Sequence, residues 1–365
     1  MMSIVEMPAM DCHRDCAAEE EIEAFQMHVG DIFQDLTCEG DEVLSLPWVR
    51  KLLDSFLICL EEFRLILFNS KAVISSPPLD RMISEFFDRG VKALDVCNAI
   101  RDGIDQIRHW QKHLEIVLVA LDPSLPAVGE GQFCRAKKAL FDLSALMVDE
   151  KDGGSRSFGR SSHSKDNHHN LPGGTHFRCL LLSVSPSWSA GKQLQAISNN
   201  LNAPRGNEIL ATHGLSVPLF TIGNVLLFVM WTLVASIPCQ DRGLQTNFSI
   251  PRSFYWAAPI LSLHERVLDQ STKKDRRNTC GVLKEIRQIE KLARELTELV
   301  DVPQFPLSEE KMTELKLAMR ELAQVSNVLK EELDPLERQI REVFHRIVRS
   351  RREGLDTSSK SHHSE

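Results

Sequence analysis

Apolar residues recur at every third or fourth position along most of this chain, the spacing of a helix with one buried face. The first such stretch runs from Glu20 to Leu36. The second begins at Pro47, just after a candidate capping residue at Ser45, and ends near Ser70. Each stretch therefore predicts an amphipathic helix.

A third apolar stripe continues from Leu79 to Leu121, where Asp122-Pro123 ends it. More than forty residues is long for one globular helix, so we expect a bend near Gly90 or Gly103. A further helix is predicted from about Gly129 to Val148. The stripe of the long helix predicts a buried face that includes Phe86, Phe87, Val91 and Leu94.

The chain changes character between residues 151 and 177, which are rich in Ser, Gly, Asn and His. This segment contains too few apolar residues for their burial to offset the entropy lost on ordering the chain. We therefore predict a disordered linker. It contains four histidines: His163, His168, His169 and His176. Without Cys or carboxylate partners at a fixed spacing, they indicate a polar linker rather than a metal site.

Trp188–Asn200 predicts another helix, and the 25 residues from Leu215 to Cys239 then contain no charge. A bilayer-spanning helix needs about 20 apolar residues, so this segment could cross a membrane. A helix that is apolar on all sides can equally be the buried centre of a bundle. We favour the buried helix, because the amphipathic helices on both sides of it need mutual cover, and we keep the membrane span as the alternative.

Amphipathic helices close the chain. One stripe runs from Leu283 to Leu299 and another from Met312 to Leu329. Asp334-Pro335-Leu336-Glu337 resembles a helix start, with Asp as the cap and Pro in the first turn, and predicts a third helix.

These elements predict an all-α protein: an elongated antiparallel helical bundle with a disordered central linker and one very apolar helix. We predict a disordered N-terminus at 1–19, an acidic helical bundle at 20–150 and the linker at 151–177. A C-terminal helical part follows at 178–350, including the apolar helix at 215–239, and then a disordered tail at 351–365.

Charge is distributed unevenly along the chain. Residues 1–150 carry 14 Lys and Arg against 27 Asp and Glu, whereas the other 215 residues carry 29 against 24. An acidic front half does not suit nucleic-acid binding, which needs clustered cations. The nine cysteines form no C-x-x-C pair, and the N-terminus has no hydrophobic signal core, so we expect reduced thiols in a cytoplasmic protein, with the membrane association considered below. A single-pass membrane protein is the alternative.

The sequence nominates no catalytic, cofactor-binding or metal-binding residue and no cofactor. Nucleotide-binding, hydrolase and zinc-protease motifs are absent. His109 and His113 lie one helical turn apart, but no third ligand accompanies them, so a surface pair is the simpler interpretation. The basic run from Lys273 to Arg277 could contact anionic lipid, although a solvated helix start is the commoner meaning.

Several segments resemble the plant BYPASS/ROH family, and the ROH branch more than BYPASS itself. The similarity extends in order from about Glu20 to Asp356. The segments are Pro77–Arg81, Phe86–Arg89, Lys92–Ala99, Gly131-Gln132, Arg135-Ala136, Lys192–Ile197, Pro238–Arg242 and Val343–Arg351.

This resemblance implies a non-enzymatic plant adaptor or regulator. ROH-type proteins are linked to a membrane-associated subunit of the exocyst and so to polarised secretion, which implies an exocyst subunit as partner. BYPASS-type proteins restrain a root-derived small-molecule signal that controls shoot growth, and this is the alternative function. Membrane association would come through such partners or through Leu215–Cys239.

Overall fold

The computed structural model describes residues 10–38, 43–71, 73–122, 129–149, 188–239, 243–246, 248–272, 280–301 and 307–361, and all regular elements in these ranges are α-helices. The helices are α1 (Met10–Thr37), α2 (Leu46–Asn69), α3 (Leu79–Ala120), α4 (Glu130–Asp149), α5 (Ala190–Ser198), α6 (Gly206–Ala211), α7 (Ser216–Ser236), α8 (Ala257–Thr272), α9 (Lys284–Val300) and α10 (Glu309–Ser361). The predicted all-α class is confirmed. The predicted linker at 151–177 lies outside the described residues.

Helix starts follow local capping chemistry where the sequence provides it. The Ser45 hydroxyl accepts a hydrogen bond from the Trp48 amide at 3.3 Å, and Pro47 occupies the first turn of α2. Ser189 caps α5 in the same way through the Lys192 amide. The cap predicted at Ser45 is therefore confirmed.

Two terminal boundaries differ from the sequence prediction. Helix α1 begins at Met10 rather than Glu20, and α10 is helical to Ser361, so both helices extend into the segments 1–19 and 351–365. Extending an existing helix by one residue costs far less than starting one. At the C-terminal end, an ion pair between Arg349 and Glu353, one turn apart, supports this extension.

Helix α10 also passes through Pro335, where the sequence predicted the start of a separate helix. A proline inside a helix removes one backbone hydrogen bond and costs about 3 kcal/mol. Burial of the neighbouring Leu333 and Leu336 opposes that cost. In addition, Arg108 of α3 donates hydrogen bonds to Asp334 and Glu337 at 2.7 and 2.6 Å. Tertiary contacts on both sides of Pro335 thus stabilise one continuous helix.

The longest helices, α3 and α10, pack antiparallel. Contacts run from Arg108 and Asp334 at one end to Phe87 and Gly354 at the other. Helix α2 runs parallel to α10, because Arg50 pairs with Glu332 and Arg64 pairs with Glu353. Buried side chains from both predicted halves of the chain belong to one hydrophobic cluster. The division of the chain at residues 151–177 remains a sequence-based prediction.

Helix α7 lies at the centre of that cluster. It is long and apolar enough to cross a bilayer, with a mean hydropathy of 2.0, yet 94% of its most apolar window is buried inside the fold. Helices α1, α2, α3, α5, α6 and α8 pack against it. The protein therefore provides the apolar surroundings that a lipid bilayer would otherwise supply.

Four polar side chains of α7 form hydrogen bonds within the protein. Asn224 donates a hydrogen bond to the Phe220 carbonyl at 2.8 Å, and Thr232 donates to the Phe228 carbonyl at the same distance. Thr221 reaches Gln26 of α1 at 2.9 Å, and the Trp231 indole reaches the Leu244 carbonyl at 3.1 Å. Because these side chains bond to the protein, they do not oppose burial of the helix.

The glycines of α3 mark close helix contacts, and the helix is continuous through both of them. A Cβ atom added at Gly103 would lie 2.1 Å from the Pro238 carbonyl oxygen, at the end of α7. At Gly90 it would lie 3.2 Å from Ile347 of α10. Gly103 in particular lets the backbone after α7 approach α3.

We expect Gly103→Ala to lower the free energy of unfolding by about 1–3 kcal/mol, the usual cost of overpacking a core. The carbonyl it meets is backbone and cannot swing aside. Urea unfolding followed by circular dichroism measures the change. Gly131→Ala in α4 is the matched control, because nothing lies within 4 Å of the added methyl group. Equal stability of the two variants would contradict the close contact at Gly103.

Candidate functional site: an apolar groove between helices

A groove opens at the end of the bundle where α2 ends and α3 begins. Its floor is aromatic: Phe63 and Phe86 meet edge to face with ring centroids 5.1 Å apart, and Phe87 lies 5.8 Å from Phe86. The residues that line it are Phe63, Arg64, Leu67, Phe68, Lys71, Ile74, Ile83, Phe86, Phe87, Ser350, Glu353 and Gly354. We call this set the α2–α10 groove.

The C-terminal segment of α10 forms one wall of the groove. Gly354 lies directly against Phe87, where an added Cβ atom would be 2.2 Å from the ring. Any larger residue at this position would require the Phe87 ring to move. Because α10 was expected to end in a disordered tail at 351, the sequence did not reveal this wall; the lone Gly354 within a polar helical run was the available signal.

The burial predicted for four apolar residues of α3 is observed for two of them. Phe86 and Phe87 are buried as predicted, whereas Val91 and Leu94 are only partly buried. Phe68, which was not singled out, has 55% of its surface exposed, and the ammonium group of Lys71 lies 3.5 Å from its ring centroid. Leu65, one turn earlier on α2, is 46% exposed. The apolar surface therefore continues out of the groove along α2.

An ion network fixes the wall between α2 and α10. Arg64 donates hydrogen bonds to Glu61 at 2.6 Å and to Glu353 at 3.3 Å. Arg346 donates to Glu61 at 3.0 Å, and Arg349 donates to Glu353 at 2.8 Å. Each carboxylate thus bonds to two arginines. These hydrogen bonds hold the pKa of Glu61, mainly through Arg64, and that of Glu353, mainly through Arg349, below the ordinary value of 4.5.

We expect Glu61→Gln/Glu353→Gln to destabilise the protein by about 1 kcal/mol at pH 7, because the pairs are partly exposed. Depressed carboxylate pKa values add stability above pH 4.5, and this stability is lost as the pH falls through the lower folded-state values. The gap to wild type should therefore close in acid. Urea midpoints measured from pH 7 to pH 3 test this.

Glu342→Gln provides the comparison for the ion network, since its pair with Arg346 lies within α10. That variant should stay close to wild type throughout. A gap between the double variant and wild type that is constant with pH would contradict the assignment of the stabilisation to the ionised carboxylates.

The candidate chemical groups considered in the sequence do not converge on a reaction centre. His109 and His113 lie together on α3 with ring centroids 5.7 Å apart, and burial lowers the pKa of His113. No group of three possible metal ligands occurs among the described residues. Burial raises the pKa of the Cys59 and Cys97 thiols to about 12, so neither is a nucleophile at neutral pH. The basic run at 273–277 and the linker histidines lie outside the described residues.

A second concavity lies between the start of α2, α9 and α10. It holds about 500 Å³ and is lined by Ser45, Pro47, Lys284, Glu285, Gln288, Lys291, Leu292, Glu321, Gln324, Val325 and Val328. Two lysines and two glutamates share this lining, so charges of both signs balance within it. It is a mixed polar cleft and lacks the mainly apolar lining typical of pockets for hydrophobic ligands.

The fold and the groove together define an all-helical protein with one shared core and an apolar surface groove. Residues 4–358 match the family described as Protein ROH1-like, and the chain belongs to that family. The match extends beyond the Glu20–Asp356 segment on which the resemblance rested. It indicates no catalytic family.

Curated relatives agree with this assignment. The chain is 54% identical to Protein ROH1D of Arabidopsis thaliana over 95% of its own length and 90% of the relative's. It is 36% identical to Protein ROH1A of the same plant, over 93% and 90%. A rice protein, UPF0496 protein 4, is 23% identical over 73% of this chain and 51% of its own length. Among solved structures, none matches.

Proposed function

We propose that this protein is a non-enzymatic plant adaptor that acts through protein–protein contacts in exocyst-linked polarised secretion. The observation that carries the proposal is the exposed, mainly apolar α2–α10 groove on a member of the ROH1-like family. Monomeric proteins seldom leave a contiguous apolar surface uncovered unless it binds something. The link to the exocyst comes from the resemblance of the chain to ROH-type proteins.

The BYPASS-type alternative, control of a mobile small-molecule signal, would be favoured by a large apolar pocket with a few convergent polar groups. The cleft of about 500 Å³ between the start of α2, α9 and α10 carries charges of both signs. The α2–α10 groove is apolar but encloses only about 60 Å³, less than half the roughly 150 Å³ of a cavity that binds benzene. The cavities therefore favour the adaptor proposal.

Proximity labelling in plant cells tests the proposal. The full chain is fused to a biotin ligase and compared with a free cytoplasmic ligase. Enrichment of exocyst subunits supports the adaptor function. Enrichment of small-molecule biosynthetic enzymes without exocyst subunits would overturn it in favour of the alternative. Co-precipitation of the recovered subunit with purified protein then establishes whether the contact is direct.

We also propose that the protein associates with membranes through partners and that α7 remains in the core. Its packing against six helices and the internal hydrogen bonds of Asn224 and Thr232 support this. Carbonate extraction of plant membranes should release the protein into the supernatant. Retention in the pellet, together with protection of one terminus from protease in sealed vesicles, would contradict it and indicate a single-pass membrane protein.

A further inference from the structure

The α2–α10 groove differs in charge from the rest of the molecule. Two smaller depressions adjoin it and share Arg64, Phe86, Phe87 and Ser350 with its lining. The combined lining carries five cations against two carboxylates, on a chain with a net charge of −8. The cations are Arg64, Lys71, Arg346, Arg349 and Arg351, and the carboxylates are Glu61 and Glu353. This surface therefore attracts an acidic partner.

Some of these cations have no carboxylate partner among the described residues. Arg64, Arg346 and Arg349 are paired with Glu61, Glu342 and Glu353, so the excess positive charge lies on Lys71 and Arg351. Arg351 is exposed, and no ion pair joins it to a described residue. Lys71 contacts the Phe68 ring instead of a carboxylate. Positive charge thus remains available on both sides of the apolar floor.

The dimensions of the groove select the kind of ligand. An enclosed volume of about 60 Å³ is too small for an acyl chain or a drug-sized ligand but can admit the tip of an apolar side chain. The apolar floor is recessed between two helices instead of standing out toward a bilayer. Leu65 and Phe68 extend the apolar surface along α2, so that successive side chains of a bound helix can contact it.

We propose that the α2–α10 groove binds an acidic amphipathic helix of a partner protein. Its apolar side chains, spaced three or four residues apart, pack on Phe68 and the aromatic floor, and its carboxylates pair with Lys71 and Arg351. This inference rests on the proposed adaptor function and adds to it the surface and the chemistry of the partner.

A designed peptide of about 20 residues tests the inference, since shorter helices are marginal in water. It carries Leu and Phe at helical spacing on one face and Glu on the other, with a fluorescent label. Binding to the full chain is measured by fluorescence anisotropy. The comparison peptides are a scrambled sequence of the same composition and a version with Lys in place of Glu. The acidic amphipathic peptide should bind most tightly, and its affinity should fall as salt is added.

Variants of the protein locate the binding surface. Phe68→Ser should weaken binding by about tenfold or more, as expected for a contact anchor. Lys71→Glu/Arg351→Glu should weaken binding and reduce its salt dependence. Phe141→Ser in α4 is the control, because Phe141 is 72% exposed and does not line the groove. Thermal unfolding confirms that each variant is folded.

Several outcomes would overturn the inference. The Lys-containing or scrambled peptide could bind as tightly as the acidic one, or the Phe68 and Phe141 variants could lose affinity equally.

Flotation of the protein with vesicles of phosphatidylserine and phosphatidylcholine, without peptide binding, would assign the surface to membranes. Dimerisation abolished by Phe68→Ser would assign it to a second copy of the chain. If the peptide does not bind but proximity labelling still recovers exocyst subunits, only the inference about the groove is rejected. If the peptide binds but no exocyst subunits are recovered, only the proposed function is rejected.

Discussion

Val229→Asp should unfold the protein or reduce its free energy of unfolding by at least about 4 kcal/mol. Val229 lies in the middle of α7 and is fully buried. A carboxylate placed there has no cation to pair with in its own helix, and an unpaired buried charge costs several kcal/mol. Urea unfolding of the purified variant, or its loss to the insoluble fraction during expression, gives the measurement.

Leu210→Asp serves as the control for Val229→Asp. Leu210 lies on the short helix α6 and is 81% exposed, so its replacement should change stability by less than about 0.5 kcal/mol. A soluble, cooperatively folding Val229→Asp protein would mean that α7 is not enclosed by the other helices.

Phe87→Ala should cost about 3–5 kcal/mol, the usual range for truncating a buried phenylalanine. Only 7% of the Phe87 surface is exposed, and the ring packs between Phe86 and Gly354. Removing it leaves a cavity under α10, because the rigid helices on both sides cannot close the space. The free energy of unfolding from urea titration tests this value.

Phe141→Ala is the matched truncation at an exposed phenylalanine and should stay within about 0.5 kcal/mol of wild type. A loss below about 1 kcal/mol for Phe87→Ala would show that the ring contributes little to the core. Phe87 would then belong to the binding surface of the groove, and the main contact for a bound helix would be the aromatic floor instead of Phe68.

Periodicity alone could predict most of the fold. The spacing of apolar residues located the buried faces of α2 and α3, and the uncharged run from Leu215 to Cys239 identified the central helix. These predictions succeed because helical burial repeats at a fixed interval and depends on nearby residues. The cap at Ser45 was predictable for the same reason.

What the sequence could not predict depends on residues far apart in the chain. The residues around Pro335 by themselves predict a helix start. The helix is continuous because Arg108, more than two hundred residues away, bonds to it and because the leucines beside Pro335 are buried. The groove has the same origin, since Phe63, Phe87 and Gly354 meet only once α10 packs against α3. Local propensity gives no indication of such contacts.

The burial of α7 has a consequence for how the protein is made. Five of the six helices that pack most closely on it, α1, α2, α3, α5 and α6, precede it in the chain. Translation proceeds from the N-terminus, so these helices have already left the ribosome when the apolar segment emerges. They can cover it as it is synthesised, which shortens the time in which the membrane-insertion machinery could capture it. The position of α7 after its covering helices thus favours packing into the bundle for a segment whose composition would suit a bilayer.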